Sequence, residues 1–244
     1  MPQFSSTFKR SPDFRSTAWT IVVKATGEGV PAQQALETLC QAYWYPIYAF
    51  VRRTGLRSAD AEDATQAFFT WVIETGVVAR ADPARGKFRS FLISALKQFL
   101  SRQREFEMAA KRRPEHPLLS LDVQLGEQRY EVEPCDNQTP EKLFEYSWAL
   151  MVIDTAMARL RSEWAEAGRA RYFDALKEYI VQQTNLCGRE LAEKLNLSEG
   201  AVRVAVHRLK RRFAEVLREE VGRTLEAHES VDDELHHLLN SLRL

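Results

Sequence analysis

Apolar residues recur at three- and four-residue spacing from Pro12 to Arg113, and strand-type alternation is absent along the whole chain. The pattern predicts an all-helical fold. The strongest helix is expected from about Ala32 to Arg53, with Leu36, Leu39, Tyr43, Ile47 and Phe50 on one face. Pro46 should kink it, because proline lacks a backbone donor and crowds the preceding turn. After the Thr54-Gly55 break, a second helix is expected to start at Ser58, whose hydroxyl can cap free amides, and to run to about Glu74. Asp60, Glu62 and Asp63 then sit where the helix dipole favours negative charge. A third helix begins near Lys87, after the loop Asp82-Pro83-Ala84-Arg85-Gly86, and its inward stripe is Phe88, Phe91, Leu92, Ala95, Phe99 and Leu100. Ahead of these, Phe14, Ala18, Ile21 and Val22 suggest one more helix.

The pattern changes at Pro114. Up to Thr139, six acidic residues face only Arg129, among the turn-formers Pro117, Gly126, Pro134 and Asn137, so this stretch reads as a flexible acidic linker. Helical spacing returns near Pro140 and continues to about Ala227, with breaks near Gly168 and at Thr184 to Gly188. A final amphipathic segment places Leu235, Leu238, Leu239 and Leu242 on one side. The expected organisation is therefore a helical domain over 1–113, a linker over 114–139, a second helical domain over 140–227 and a C-terminal helix over 228–244. That helix is expected to bind back on its own domain, with a regulatory surface as the alternative.

With 45% apolar and 28% charged residues in 244, the chain has enough apolar material for two cores. No apolar run approaches the roughly 20 residues that cross a bilayer, and the first residues lack the plan of a secretory signal, so a cytoplasmic location is expected. Cys40, Cys135 and Cys187 are far apart, with no zinc-type spacing, and neither a metal nor another cofactor is expected. There are 34 basic and 34 acidic side chains, so no net field draws the chain to a polyanion. Local distribution has to carry any such argument.

The clearest local distribution lies between Gly188 and Phe213. A short helix with Leu191, Ala192 and Leu195 inward is followed by the turn Asn196-Leu197-Ser198 and a longer helix with Val202, Val206 and Leu209 inward. This spacing predicts a helix-turn-helix. Asn196 tolerates the left-handed conformation of a helix exit, and Ser198 is a preferred cap for the next helix. No acidic residue stands between Ala201 and Ala214. Ser198, Glu199, Arg203 and His207 are the candidates for reading bases, and Arg208, Lys210, Arg211 and Arg212 for contacting phosphates. A solvated basic face that binds nothing is the competing reading, disfavoured by the agreement of turn, cap, spacing and charge.

A second basic concentration comprises Arg85, Lys87, Arg89, Lys97, Arg102, Arg104, Lys111, Arg112 and Arg113, against Glu105 and Glu107. Phe88, Phe91, Phe99 and Phe106 interleave with it. Rings beside a basic track can stack unpaired bases, although phenylalanines at helical spacing are more commonly core.

Three stretches in this order resemble the extracytoplasmic-function sigma factors of bacterial RNA polymerase. Asp60-Ala61-Glu62-Asp63-Ala64-Thr65-Gln66-Ala67-Phe68-Phe69 looks like the family's polymerase-binding helix. Asp82-Pro83 through Gly86-Lys87-Phe88-Arg89-Ser90-Phe91-Leu92 looks like the element that captures melted promoter DNA. Leu191-Ala192 through Arg212 looks like the helix-turn-helix that reads the upstream promoter element. The chain departs from the usual residues at Ala67, Phe91, Gln98 and Ala205. The resemblance implies a non-enzymatic initiation factor whose partners are core RNA polymerase and promoter DNA, duplex upstream and single-stranded downstream. Asp60, Asp63 and Gln66 would meet the polymerase, and Lys87, Arg89, Lys97 and Arg102 the melted strand. The family pattern also allows an inhibitory anti-sigma partner.

The alternative is a free-standing helix-turn-helix regulator that dimerises on a palindromic site. An enzyme is not expected, since neither a phosphate-binding glycine loop nor a His-Glu-x-x-His motif occurs.

Overall fold

A computed structural model describes residues 19–109, 123–132, 138–181, 188–225 and 229–243. Among these residues the structure is helical, without a strand. In chain order the helices are α1 (Trp19–Ala25), α2 (Val30–Arg53), α3 (Ser58–Thr75), α4 (Phe88–Ala109), α5 (Val123–Val132), α6 (Pro140–Glu166), α7 (Ala170–Leu176), α8 (Glu178–Val181), α9 (Gly188–Leu195), α10 (Glu199–Arg223) and α11 (Val231–Ser241). Short 3-10 turns at Val77–Arg80 and Pro83–Arg85 join α3 to α4.

The chain forms two compact units, one of Met1–Met151 with Arg223–Leu244 and one of Val152–Gly222. The first unit takes in the stretch read as a linker, the first turns of α6, and α11.

In the first unit, Leu39, Tyr43, Ile47 and Phe50 of α2 are buried at their expected helical spacing. From Tyr45 to Val51 every residue is buried, so this half of the helix has neighbours all round. Helical structure runs on through Pro46, where surrounding contacts hold the backbone despite the missing donor. Phe68, Phe69 and Val72 of α3 and Phe88, Leu92, Ala95 and Leu96 of α4 complete the core with Leu143, Phe144 and Trp148 of α6. Phe88 stands edge-on to Tyr43 at 5.6 Å between centroids, and Phe99 packs against Phe68 and Trp71 at 5.6 Å. These rings are core elements. Cys40 is buried there, and burial with Glu37 nearby pushes its thiol up to about 12.

Two local expectations are corrected. Arg57 stands at the N-cap of α3 without a side-chain capping bond, while the Ser58 hydroxyl is engaged with the Tyr48 hydroxyl at 3.1 Å. The supposed acidic linker contains α5, which is fastened to α2. Glu127 receives Arg52 Nε at 3.0 Å and a second guanidinium nitrogen at 2.6 Å, and it also accepts from Tyr48. Arg129 lies over the Tyr45 ring at 4.1 Å. Gly126 is buried against Trp44, where a Cβ would lie 2.6 Å from the indole edge. The absence of a side chain is what admits this close approach.

In the second unit, Ala156 and Leu160 of α6, Phe173 and Leu176 of α7, Leu191, Ala192 and Leu195 of α9, and Val202, Val206 and Leu209 of α10 are buried. Arg159 of α6 bonds to Glu219 and to Glu220 of α10, the latter at 2.9 Å. In return, Arg212 of α10 grips Glu163 of α6 through two bonds of 2.8 and 2.9 Å. These crossed pairs fix α10 against α6.

Candidate nucleic-acid interface

The connection from α9 to α10 follows from three residues. Asn196 takes φ 54°, the left-handed conformation that asparagine accommodates and that ends a helix. The Leu197 amide then donates to the Ala192 carbonyl at 2.9 Å and the Asn196 amide to the Glu193 carbonyl at 3.2 Å, so two carbonyls of the last turn of α9 are satisfied. Ser198 Oγ accepts from the Ala201 amide at 3.2 Å and its carbonyl from the Val202 amide at 3.0 Å, which starts α10.

With Val202, Val206 and Leu209 inward, the opposite face of α10 carries Gly200, Arg203, Val204, His207, Arg208 and Arg211. Ser198 and Glu199 are exposed at its start and Lys210 is exposed at its flank. Arg203, Arg208 and Lys210 have no carboxylate within ion-pair reach among the described residues. Arg211 makes only an exposed pair with Glu215 at 3.7 Å, an interaction of little strength. Arg212 is different. It is turned toward α6 by Glu163 and is also held by Glu215 at 3.1 Å, and hydrogen bonding to Glu163 raises its already high pKa further. Of the residues expected to contact phosphates, Arg212 is thus the one already engaged by carboxylates, with its side chain 35% exposed. Conversely, Val204 escaped the sequence reading: half exposed, it is an apolar side chain within a basic stripe. Its signal was its position outside the inward repeat.

The basic track of α4 is arranged otherwise. Arg89 was expected to face a nucleic-acid strand, but it is only 4% exposed. Its Nε donates to both oxygens of Glu145 at 2.9 and 3.2 Å, another nitrogen donates to Glu234, and its guanidinium covers the Trp148 ring at 4.1 Å. Lys87 also donates to Glu234, and Lys97 pairs with Glu141 at 2.7 Å. Glu234 is 1% exposed. Burial pushes its carboxyl up, but the bonds and charges of Arg89 and Lys87 outweigh this and hold it below the usual range. Arg102 is exposed. The side chains of Arg104, Phe106, Lys111, Arg112 and Arg113, and also Cys135 and Cys187, lie outside the described residues.

On α3, Asp63 is exposed and Gln66 half-buried on the side away from Ala61, Ala64, Thr65 and Phe68. Gln66 donates to Glu62 at 3.3 Å, while Asp60 sits at the edge of this face and pairs with Arg57 at 3.0 Å. Asp63 and Gln66 therefore share a surface and Asp60 borders it.

Among the described residues, no group of three or more His, Cys, Asp or Glu side chains is placed to hold a metal ion, and no helix is long and apolar enough to cross a membrane. No protein-family model, curated protein or solved structure matches the chain.

Proposed function

We propose that the chain is a transcription initiation factor of the sigma type, which binds core RNA polymerase and directs it to promoters. The observation that carries this reading is the α10 face. Directly after a capped turn, Arg203, His207, Arg208 and Arg211 project from one exposed stripe, in which, among the described residues, only Arg211 meets a carboxylate, the exposed Glu215. Such a helix presents its first turns to base edges and its later cations to phosphates. The α9–α10 pair acts as the helix-turn-helix, Ser198, Glu199, Arg203 and His207 read the duplex, and Arg208, Lys210 and Arg211 hold its backbone. The α3 surface with Asp63 and Gln66 supplies the polymerase contact, bordered by Asp60. A free-standing regulator has no use for that surface.

Run-off transcription with purified core polymerase over a promoter library tests the proposal. New start sites are expected with the protein and should vanish with an Asp63→Arg, Gln66→Ala variant. Duplex binding by the protein alone, with no stimulated start site and no association with core polymerase, would replace the proposal with a free-standing regulator.

A further inference from the structure

Lys87, which directly precedes α4, and Arg89 and Lys97 of α4 meet carboxylates from distant parts of the chain: Lys87 meets Glu234, Arg89 meets Glu145 and Glu234, and Lys97 meets Glu141. The carboxylates do not have equal attachments. Glu141 and Glu145 belong to α6, whose first turns are anchored by the fully buried Leu143, Phe144 and Trp148. Glu234 belongs to α11, a helix of 11 residues with one fully buried apolar side chain, Leu238. Its other face, with Asp232, Asp233, His236 and Asn240, is exposed. Few buried apolar contacts mark the part of a fold that opens most readily.

We propose, building on the initiation-factor reading, that α11 is a displaceable latch over an anion-binding surface at the start of α4, where the Glu234 carboxylate occupies the place of a phosphate of single-stranded nucleic acid. Charge and geometry support that ligand. When α11 leaves, Arg89 keeps Glu145 and its seat on Trp148, so it continues to support the fold. Lys87, already 30% exposed at its side chain, loses its partner and becomes the free phosphate contact. It joins the exposed Arg85 and Arg102 on the same segment of chain. Docked, the latch substitutes an internal acid for the strand; undocked, it uncovers the site.

The test uses the full-length protein and a fluorescently labelled oligothymidylate, with binding followed by anisotropy at low salt. Leu238→Asp undocks α11, which hydrogen exchange over residues 231–241 reports, and Glu234→Gln removes the competing charge with little change of shape. Leu238→Asp should bind the oligonucleotide about tenfold more tightly and Glu234→Gln about threefold, with a steeper salt dependence, as expected for an added phosphate contact. Lys87→Ala in either background should abolish the gain. The latch is overturned if α11 exchanges freely in Leu238→Asp without a gain in affinity, or if the gain survives Lys87→Ala. Should Leu238→Asp unfold the first unit, Glu234→Gln decides alone, and unchanged affinity overturns the proposal. Run-off transcription keeps the two readings apart. An oligonucleotide gain without any start site refutes the initiation factor and leaves the latch, whereas start sites without the gain refute the latch alone.

Discussion

Replacing Arg89 with alanine should destabilise the first unit, because this guanidinium is a structural cation. The change leaves Glu234, 1% exposed, dependent on Lys87 alone and strips Glu145, 21% exposed, of its two bonds from Arg89. Breaking a buried pair by removing one partner costs roughly 3–5 kcal/mol. The lower end applies here, since Lys87 still reaches Glu234 and His237 lies 3.0 Å from Glu145. A loss of about 3 kcal/mol, at a urea slope of about 2 kcal/mol/M, lowers the midpoint by about 1.5 M. Tryptophan fluorescence in a Trp164→Phe background reads this unit alone, because Trp19, Trp44, Trp71 and Trp148 all belong to it. Arg89→Met combined with Glu234→Met should lose less than the sum of the single changes, by about 2 kcal/mol, since the partners are in direct contact. A loss below about 1 kcal/mol, with additive single changes, would refute this account of a buried and coupled Arg89.

Gly126→Ala places a methyl group 2.6 Å from Trp44 and should cost about 1–3 kcal/mol by overpacking, with faster hydrogen exchange in α5. Faster exchange should be absent from α9, whose end is made by Asn196. Ser198→Ala should cost about 1 kcal/mol through loss of the bond to the Ala201 amide, seen as earlier thermal unfolding of the second unit. The contact of α11 should also depend on pH in a fixed direction: Glu234 has a depressed native pKa, so its contribution is fully present above the ordinary carboxylate value of 4.5 and is lost as pH falls through the native value. Hydrogen exchange in α11, corrected for intrinsic rates, should therefore accelerate in acid; a loosening only on the alkaline side would contradict the assignment.

The helices were legible because a 3.6-residue burial period is written locally, as in Leu39, Tyr43, Ile47 and Phe50 or in Val202, Val206 and Leu209. Asn196 and Ser198 were legible for the same reason: each acts on backbone groups within four residues. Ser58 carried an equally good local signal, yet its hydroxyl is engaged by Tyr48, which stands ten positions back on the preceding helix and is brought to it by packing rather than by helical spacing. The helix at residues 123–132 was concealed by composition. Its acidity suggested a solvated linker, whereas Glu127 is neutralised by Arg52, 75 positions away. Arg89 and Glu234 are 145 positions apart, and among 34 acidic side chains nothing in the pattern selects this one. Charge is visible in a sequence; its partner is not.

The zero net charge therefore conceals two different electrostatic arrangements. In the first unit, the acids of α6 and α11 meet Lys87, Arg89 and Lys97 across the packed surface, so the cations nearest the proposed strand site are already engaged. In the second unit, Glu163, Glu219 and Glu220 neutralise Arg159 and Arg212, cations that fasten α10 to α6, and leave Arg203, Arg208 and Lys210 unopposed among the described residues. Three acids thus engage three cations of one basic surface, where Arg85 and Arg102 stay exposed, and three others fix the helix that displays the second. Because exposed cations contribute to nucleic-acid affinity by releasing counterions, whereas engaged cations must first exchange a partner, the α10 face has the smaller electrostatic cost on first contact. Under the proposed function, duplex engagement would therefore precede strand capture, because the carboxylates sit on the cations of the strand site.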